Sequence, residues 1–330
     1  MSAYRLFGTE TSPYSMKVRS FLRYKKADYD WVLRSQETEE EFSKHASAPS
    51  VPLLISPKGK ASQDSTNMLA SLEKVHKEPS ARPDDSGAAM IALLLEDYAD
   101  EWLNKAMFYM RWMQMPDRSA AARRVLEQML GGKRPAKPRE ARAMIAEKMV
   151  EKLPSVGATE ENGTLLIASF HRFAELFNAH LEKHLYIFGG RPSAADFAIA
   201  AQLQQMLNDP TAGEWLRDRA PFVTAWCEFM EDPRAGAPFL SLEDVSETLL
   251  PILKEEVAVT FIPWAEANSE AMRKRKKDVS LKLDGQAFAQ GLQRYSVKSW
   301  RDVKKAVGAE AKSNKVLKKL LKDAKLSKVF

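Results

Sequence analysis

The sequence predicts an α/β unit of order βαβαββα over residues 1–80, an all-helical region over 88–250 and a basic C-terminal extension over 251–330. Three observations carry that division. Short apolar strand-like runs alternate with helical patterns as far as residue 77, beyond which the apolar periodicity is helical. The segment "EPSARPDDSG" between them has the Pro, Ser and Asp content of a linker. The charge is also unevenly spread: from Ala271 to Phe330 there are about 18 Lys and Arg against 5 Asp and Glu, or +13, so a chain of net charge +6 is near −7 over its first 270 residues. A length of 330 residues suits two domains and an appendage, since single domains run to about 100–200 residues.

"YRLFG" reads as the first strand, and 13–26 as a helix with Ser12 as N-cap and Pro13 at its first position, where the missing N–H costs nothing. "DYDWVLR" is a second strand, and "TEEEFSKHA" a short helix with acidic residues in its first turn. "VPLLISPKGKASQ" gives two strands around a turn at Ser56-Pro57-Lys58-Gly59, after which Asp64 and Ser65 cap the helix "TNMLASLEKV". In the helical region, "GGKRPAKP" and "SVGATEENG" are breaks. The basic stretch holds the run "RKRKK", a short strand "VSLKLDG" and a Lys-rich helix with apolar residues at Val316, Leu317, Leu320, Leu321 and Ala324.

Several function classes are excluded. Cys227 is the one cysteine, so no disulfide within the chain and no dithiol mechanism is available, and its apolar helical setting predicts a buried, inert thiol. His45, His76, His171, His180 and His184 are scattered, and the i, i+4 pair at 180 and 184 lacks a third ligand, so no metal is expected. There is no phosphate loop or dinucleotide fingerprint. The start "MSAYRLFGTE" lacks a leader pattern and no apolar run approaches the roughly 18 residues of a membrane span, which predicts a cytoplasmic protein.

The stretch "TSPYSMKVR" has the layout of a redox Cys-x-x-Cys turn opening a helix, with hydroxyls at both sulfur positions, Ser12 and Ser15. A helix N-terminus stabilises an adjacent anion by about 0.3–1 kcal/mol. A thiolate is such an anion, and a hydroxyl donor aimed at it adds to the effect. A Ser at the first redox position makes no mixed disulfide, but it can hold the thiolate of another molecule.

These motifs together, "SPYSMKVR" opening the first helix, "SVPLL" before the hairpin, "QDS" before the third helix and "GGRPSAADFAIAAQL" in the helical region, resemble the glutathione transferase family over roughly residues 3–235. The likeness is to serine-type, bacterial-like members. It implies a thioredoxin-like domain followed by an all-α domain, with glutathione as co-substrate. Ser12 would stabilise its thiolate, with Tyr14 or Tyr4 as alternative donors and Ser15 structural. Val51 and a cis-Pro52 would meet the cysteinyl part through the main chain; Asp64 and Ser65 would meet the γ-glutamyl group, and Lys44 or His45 the glycyl carboxylate. The Ser193–Asp196 capping box belongs to folding, with Asp196 buried on backbone N–H groups.

"EDYADEWLNKAMFYMRWMQM" carries an aromatic and methionine stripe that reads as core on periodicity alone. By the resemblance, one face of this first long helix lines the acceptor pocket, with Tyr14, Phe108, Tyr109, Arg111 and Trp112 as candidates for a hydrophobic or aromatic small molecule. A homodimer active in detoxification is implied. The other readings are a different glutathione-dependent reaction, such as β-aryl ether cleavage, isomerisation or peroxide reduction, and a non-catalytic binding protein. The basic residues of 271–330 suit contact with nucleic acid or an anionic membrane, and the aromatic content of the same stretch suits a cover over the acceptor pocket.

Overall fold

A computed structural model describes residues 3–330. The first two residues of the expected α/β unit lie outside the described residues. β1 (Tyr4–Gly8) runs parallel to β2 (Tyr29–Leu33) on one side and antiparallel to β3 (Leu53–Ile55) on the other, with β4 (Ala61–Ser62) beyond, giving the order β2-β1-β3-β4. Three helices alternate with them, α1 (Pro13–Tyr24), α2 (Glu39–His45) and α3 (Ser65–Val75).

Alternation along β1 sends adjacent side chains to opposite faces of the sheet. Leu6 joins Val18, Phe21 and Leu22 of α1 in the main core, whereas Phe7 packs with Phe42 of α2 in a smaller cluster, ring centroids 6.1 Å apart. The mixed sheet is therefore covered by helices on both faces. Helix α1 ends two residues before the expected boundary because the chain turns left-handed at Lys26, φ 51°.

The helical region opens with α4 (Ser86–Tyr98), which continues through a π-helical stretch (Ala99–Leu103) into α5 (Asn104–Met113). There follow α6 (Met115–Met129), α7 (Pro138–Val150), α8 (Leu153–Val156), α9 (Gly163–Lys183), α10 (Ala194–Leu207), α11 (Pro210–Arg219), α12 (Pro221–Phe229) and α13 (Leu242–Pro251). Helix α10 is apolar on nearly every side, as a central helix must be. Its Phe197 meets Phe21 of α1 edge-on at 5.0 Å, joining the two regions. The capping box holds its start: Asp196 Oδ2 accepts from the Ser193 N–H at 2.8 Å and Oδ1 from the Ile187 N–H at 2.9 Å.

Residues beyond Pro251 form a second π-helical stretch (Ile252–Val257), α14 (Phe261–Arg273), the hairpin of β5 (Asp278–Leu283) and β6 (Gln286–Gly291), α15 (Arg294–Glu310) and α16 (Lys315–Asp323). Asp284 and Gly285 both take positive φ in the two-residue turn, the geometry that matches strand twist. Trp300 is buried edge-on to Phe261, and Leu317, Leu320 and Leu321 of α16 are buried while its lysines face outward. The basic charge thus sits on the outer faces of elements whose inner faces complete the core. No helix among the described residues is long and apolar enough to cross a membrane.

Candidate functional site

Ser12 caps α1: its Oγ accepts from the Ser15 N–H at 3.3 Å, and among the described residues its own proton has no acceptor. Ser15 is fully buried, its Oγ taking the Thr9 N–H at 3.4 Å, a structural contact. Tyr4 bonds His76 at the C-terminal end of α3 at 3.1 Å, so its hydroxyl is engaged there. Cys227 is buried, and burial pushes its thiol far above the ordinary range.

Beside α1 lies a cavity of about 490 Å³. Tyr14, Val51, Pro52, Asp64 and Ser65 all stand on its wall, and the Val51–Pro52 peptide is cis. Ser12 is not on that wall, though it opens the helix that carries Tyr14. Asp64 is the N-cap of α3 with φ 82°, a left-handed conformation that costs a non-glycine residue about 1–3 kcal/mol and concentrates at functional sites. Ser65 follows at the first helical position, where N–H groups lack intrahelical partners. Gln63, from "QDS", clamps the preceding loop: its side chain bonds Ala48 N–H at 2.9 Å, Ser47 N–H at 2.7 Å and the Ser50 carbonyl at 2.7 Å. Lys44 lies away from the cavity, exposed on α2 and paired with Glu40 at 2.8 Å.

The rest of the lining differs from the expected apolar pocket. Asp97, Asp100 and Glu101 line it from α4 and the π-helical stretch, and Tyr295 and Ser299 from α15. Of the five acceptor candidates only Tyr14 is on the wall, with its hydroxyl donating to the Asp100 carbonyl at 2.8 Å. Phe108 packs half-buried on the core, Trp112 is buried in it, and Tyr109 sits against Gly163, where an added Cβ would come within 2.1 Å of the hydroxyl. Arg111 is buried as a bolt between regions: it pairs with Asp209 at 2.7 Å and donates to the Thr11 carbonyl at 3.0 Å and the Gln205 carbonyl at 2.9 Å. The aromatic and methionine stripe faces the core because α5 is covered by neighbours on nearly every side.

The π-helical stretch shapes the acidic wall. The Asn104 N–H reaches back to the Ala99 carbonyl, widening the turn that carries Asp100 and Glu101; such turns frequently fall at functional sites. Fully buried Lys17 of α1 crosses to meet Asp100 at 2.6 Å, Glu96 at 2.7 Å and Thr66 at 3.2 Å. Burial pulls its ammonium down, but the two carboxylates outweigh that and hold it above the ordinary lysine range. The run "EDYADE" inside an apolar helix was the available signal for this cluster. Nothing in the sequence singled out Tyr295 or Ser299.

Among the described residues no group of three or more His, Cys, Asp and Glu has the arrangement to hold a metal ion. The sequence matches the family model for the glutathione S-transferase N-terminal domain over residues 6–80 and that for the C-terminal domain over residues 139–229, between them about half of the chain. With the mixed four-stranded sheet and the helical region behind it, the match is decisive: the chain belongs to the glutathione S-transferase family. No curated protein matches it. Among solved structures, the β-etherase LigF from Sphingobium sp. strain SYK-6 is 18% identical, covering 75% of this chain and 99% of its own, with a TM-score of 0.52; that likeness is one of fold. A glutathione S-transferase from Rhodospirillum rubrum F11 is 21% identical over 69% of this chain and 87% of its own, TM-score 0.45. One from Methylobacillus flagellatus KT, with glutathione bound, is 23% identical over 68% of this chain and 93% of its own, TM-score 0.41.

Proposed function

We propose that this chain binds glutathione in the cavity beside α1 and α3 and uses its thiolate to attack an electrophile. The observation that carries the reading is the grouping of Val51, Pro52, Asp64 and Ser65 on one cavity wall, next to a helix opened by Ser12. The start of α3 offers N–H groups and the Ser65 hydroxyl to the γ-glutamyl carboxylate, and the edge at Val51 offers main-chain groups to the cysteinyl unit. The Ser12 hydroxyl, accepting from Ser15, keeps its proton for a sulfur anion at the α1 N-terminus. Holding the two reactants together converts a bimolecular attack into an effectively unimolecular one.

Conjugation is the reaction this reading names. The same thiolate also permits ether cleavage, isomerisation or peroxide reduction. The family resemblance further implies a cytoplasmic homodimer, which light scattering would measure. Lys44 is left as a contact for the glycyl carboxylate only if α2 moves toward the cavity, since its ammonium is engaged on the surface.

The test is calorimetric titration with glutathione, with thiolate absorbance followed across pH and turnover measured against an electrophile panel that includes a β-aryl ether. Binding with a lowered thiol pKa and turnover of at least one electrophile is the expected result. Absence of binding at millimolar glutathione would reject the reading.

A further inference from the structure

The lysines at the C-terminal end of the chain face outward and have few partners. Residues 305–328 hold eight lysines, no arginine and two acids, Glu310 and Asp323. Both acids are engaged: Glu310 accepts from the Ser86 hydroxyl at 2.6 Å, and Asp323 pairs with Lys319 at 2.9 Å. Among the described residues no carboxylate lies within ion-pair distance of Lys315, Lys318 and Lys322 of α16, of Lys312 before it, or of Lys325 and Lys328 after it, and all six are exposed.

These lysines are held in place by the core beneath them. Asn314 caps α16 by accepting from the Leu317 N–H at 3.0 Å, while Leu317, Leu320, Leu321 and Leu326 are buried in the main core. The Phe330 ring meets Trp300 edge-on at 5.7 Å, which pins the chain beyond the helix. With 3.6 residues per turn, Lys315, Lys318 and Lys322 share one face of α16 and span about 10 Å along it.

That arrangement separates three kinds of anionic partner. A bilayer is gripped by an apolar helix face sunk below the headgroups, and here that face is closed against the core; among the described residues no large apolar side chain between 296 and 330 is exposed. A protein partner is anchored by aromatic and apolar groups, and lysine is depleted at such interfaces. A duplex backbone asks for neither: it carries one negative charge per about 1.7 Å of its axis and is neutralised by lysines acting as point charges. Single strands also stack on exposed aromatic rings, which this face lacks.

We infer that the lysine face of α16 docks this protein on the phosphate backbone of double-stranded nucleic acid, without regard to base sequence. With no arginine fork on residues 305–328, the face holds phosphates and reads no base edges. The first 270 residues, near −7 in all, repel the same polyanion and orient the extension toward it.

The experiment follows the fluorescence anisotropy of a DNA duplex of about 20 base pairs titrated with the full chain, from about 50 to about 200 mM KCl. Contact with about four phosphates predicts that affinity falls by about 100-fold across that range, and a duplex of unrelated sequence is expected to bind within about threefold. Lys315→Gln, Lys318→Gln and Lys322→Gln together are expected to weaken binding at the lowest salt by about tenfold or more and to flatten the logarithmic salt slope by about 3. Arg at the same three positions keeps the charge and is expected to bind as the native chain does. Absence of binding at the lowest salt overturns the inference, as does native affinity in the Gln variant, since the contact then lies on another surface. Tighter binding to phosphatidylserine vesicles than to the duplex overturns it in favour of a membrane. The salt slope is read on the native chain, so if the Gln variant unfolds that slope still decides, and an affinity independent of salt overturns the inference.

Discussion

The Tyr295 hydroxyl donates to Oδ2 of Asp64 at 2.9 Å, tying the start of α15 to the N-cap of α3 across 231 residues of chain. Burial and then Asp64 raise the phenol far above its ordinary pKa, so it stays a donor across the working range. Tyr295→Phe is expected to lower stability by about 0.5–1.5 kcal/mol, the net value of one hydrogen bond. It should also speed hydrogen exchange at the start of α15 while exchange in α10 stays unchanged. Exchange that is unaltered at residues 294–300 would show that this bond does not hold the helix.

Ser12→Ala removes both the N-cap acceptor of α1 and the hydroxyl proposed for the thiolate. Capping loss predicts about 1 kcal/mol of destabilisation, readable as a shift of the urea midpoint. The catalytic reading predicts a further effect: the bound thiol pKa rises by about one unit, worth about 1.36 kcal/mol. Turnover falls by about 100-fold, as when an oxyanion donor is deleted. A stability loss with thiol pKa and turnover intact would leave Ser12 as a cap alone.

Lys17 is a buried cation shared by Glu96 and Asp100. Lys17→Met strands two carboxylates, for which the expected cost is about 3–5 kcal/mol in chemical denaturation. Adding Glu96→Gln and Asp100→Asn should restore much of that loss, because replacing a buried ionic cluster as a whole is far milder than removing one member. A triple variant no more stable than Lys17→Met would argue that packing, not charge, dominates at this junction.

Lys105 is buried, and desolvation lowers its pKa to about 7, with Glu101 opposing the shift. The folded state therefore holds fewer protons on this group than the unfolded state between about pH 7 and the ordinary lysine value of about 10.4. Stability then rises with pH in that window, by at most about 1.4 kcal/mol per pH unit from this one side chain. Urea titrations at pH 7 and pH 9 should show the gain in the native protein and a smaller one in Lys105→Met. Identical slopes for the two proteins would place the Lys105 pKa outside this window.

Local chemistry made much of this fold legible in the sequence. Ser12 before Pro13, the Ser193–Asp196 capping box, and Asp64 before an apolar run each state a helix start within a few residues, and all three stand as expected. The strand β6 was missed because "QAFAQG" lacks β-branched residues and pairs only once β5 is beside it. Phe108, Tyr109 and Trp112 lie off the cavity wall for a related reason: periodicity assigns them to faces of a helix but not to the neighbours those faces meet. The extent to which Tyr295 and Ser299 approach Asp64 and Asp97 is a property of how α15 lies along α4, which nothing in the local sequence encodes.

The π-helical stretch at Ala99–Leu103 has a consequence for how this chain tolerates insertions and deletions. A π turn is equivalent to one extra residue in an α-helix, so it rotates everything beyond it by about 100° relative to a regular continuation. Before it, Glu96 is in phase with Lys17; after it, Lys105 is in phase with Trp264 and Arg111 with Asp209. Losing a single residue between 99 and 103 would turn the stretch into a regular α-helix and leave Lys105 and Arg111 on the faces they now occupy, whereas a one-residue loss elsewhere in α4 or α5 would swing them by about 100°. A one-residue gap inside 99–103 is therefore expected with Lys105 and Arg111 unchanged, and gaps on either side of it only where those two residues have changed as well.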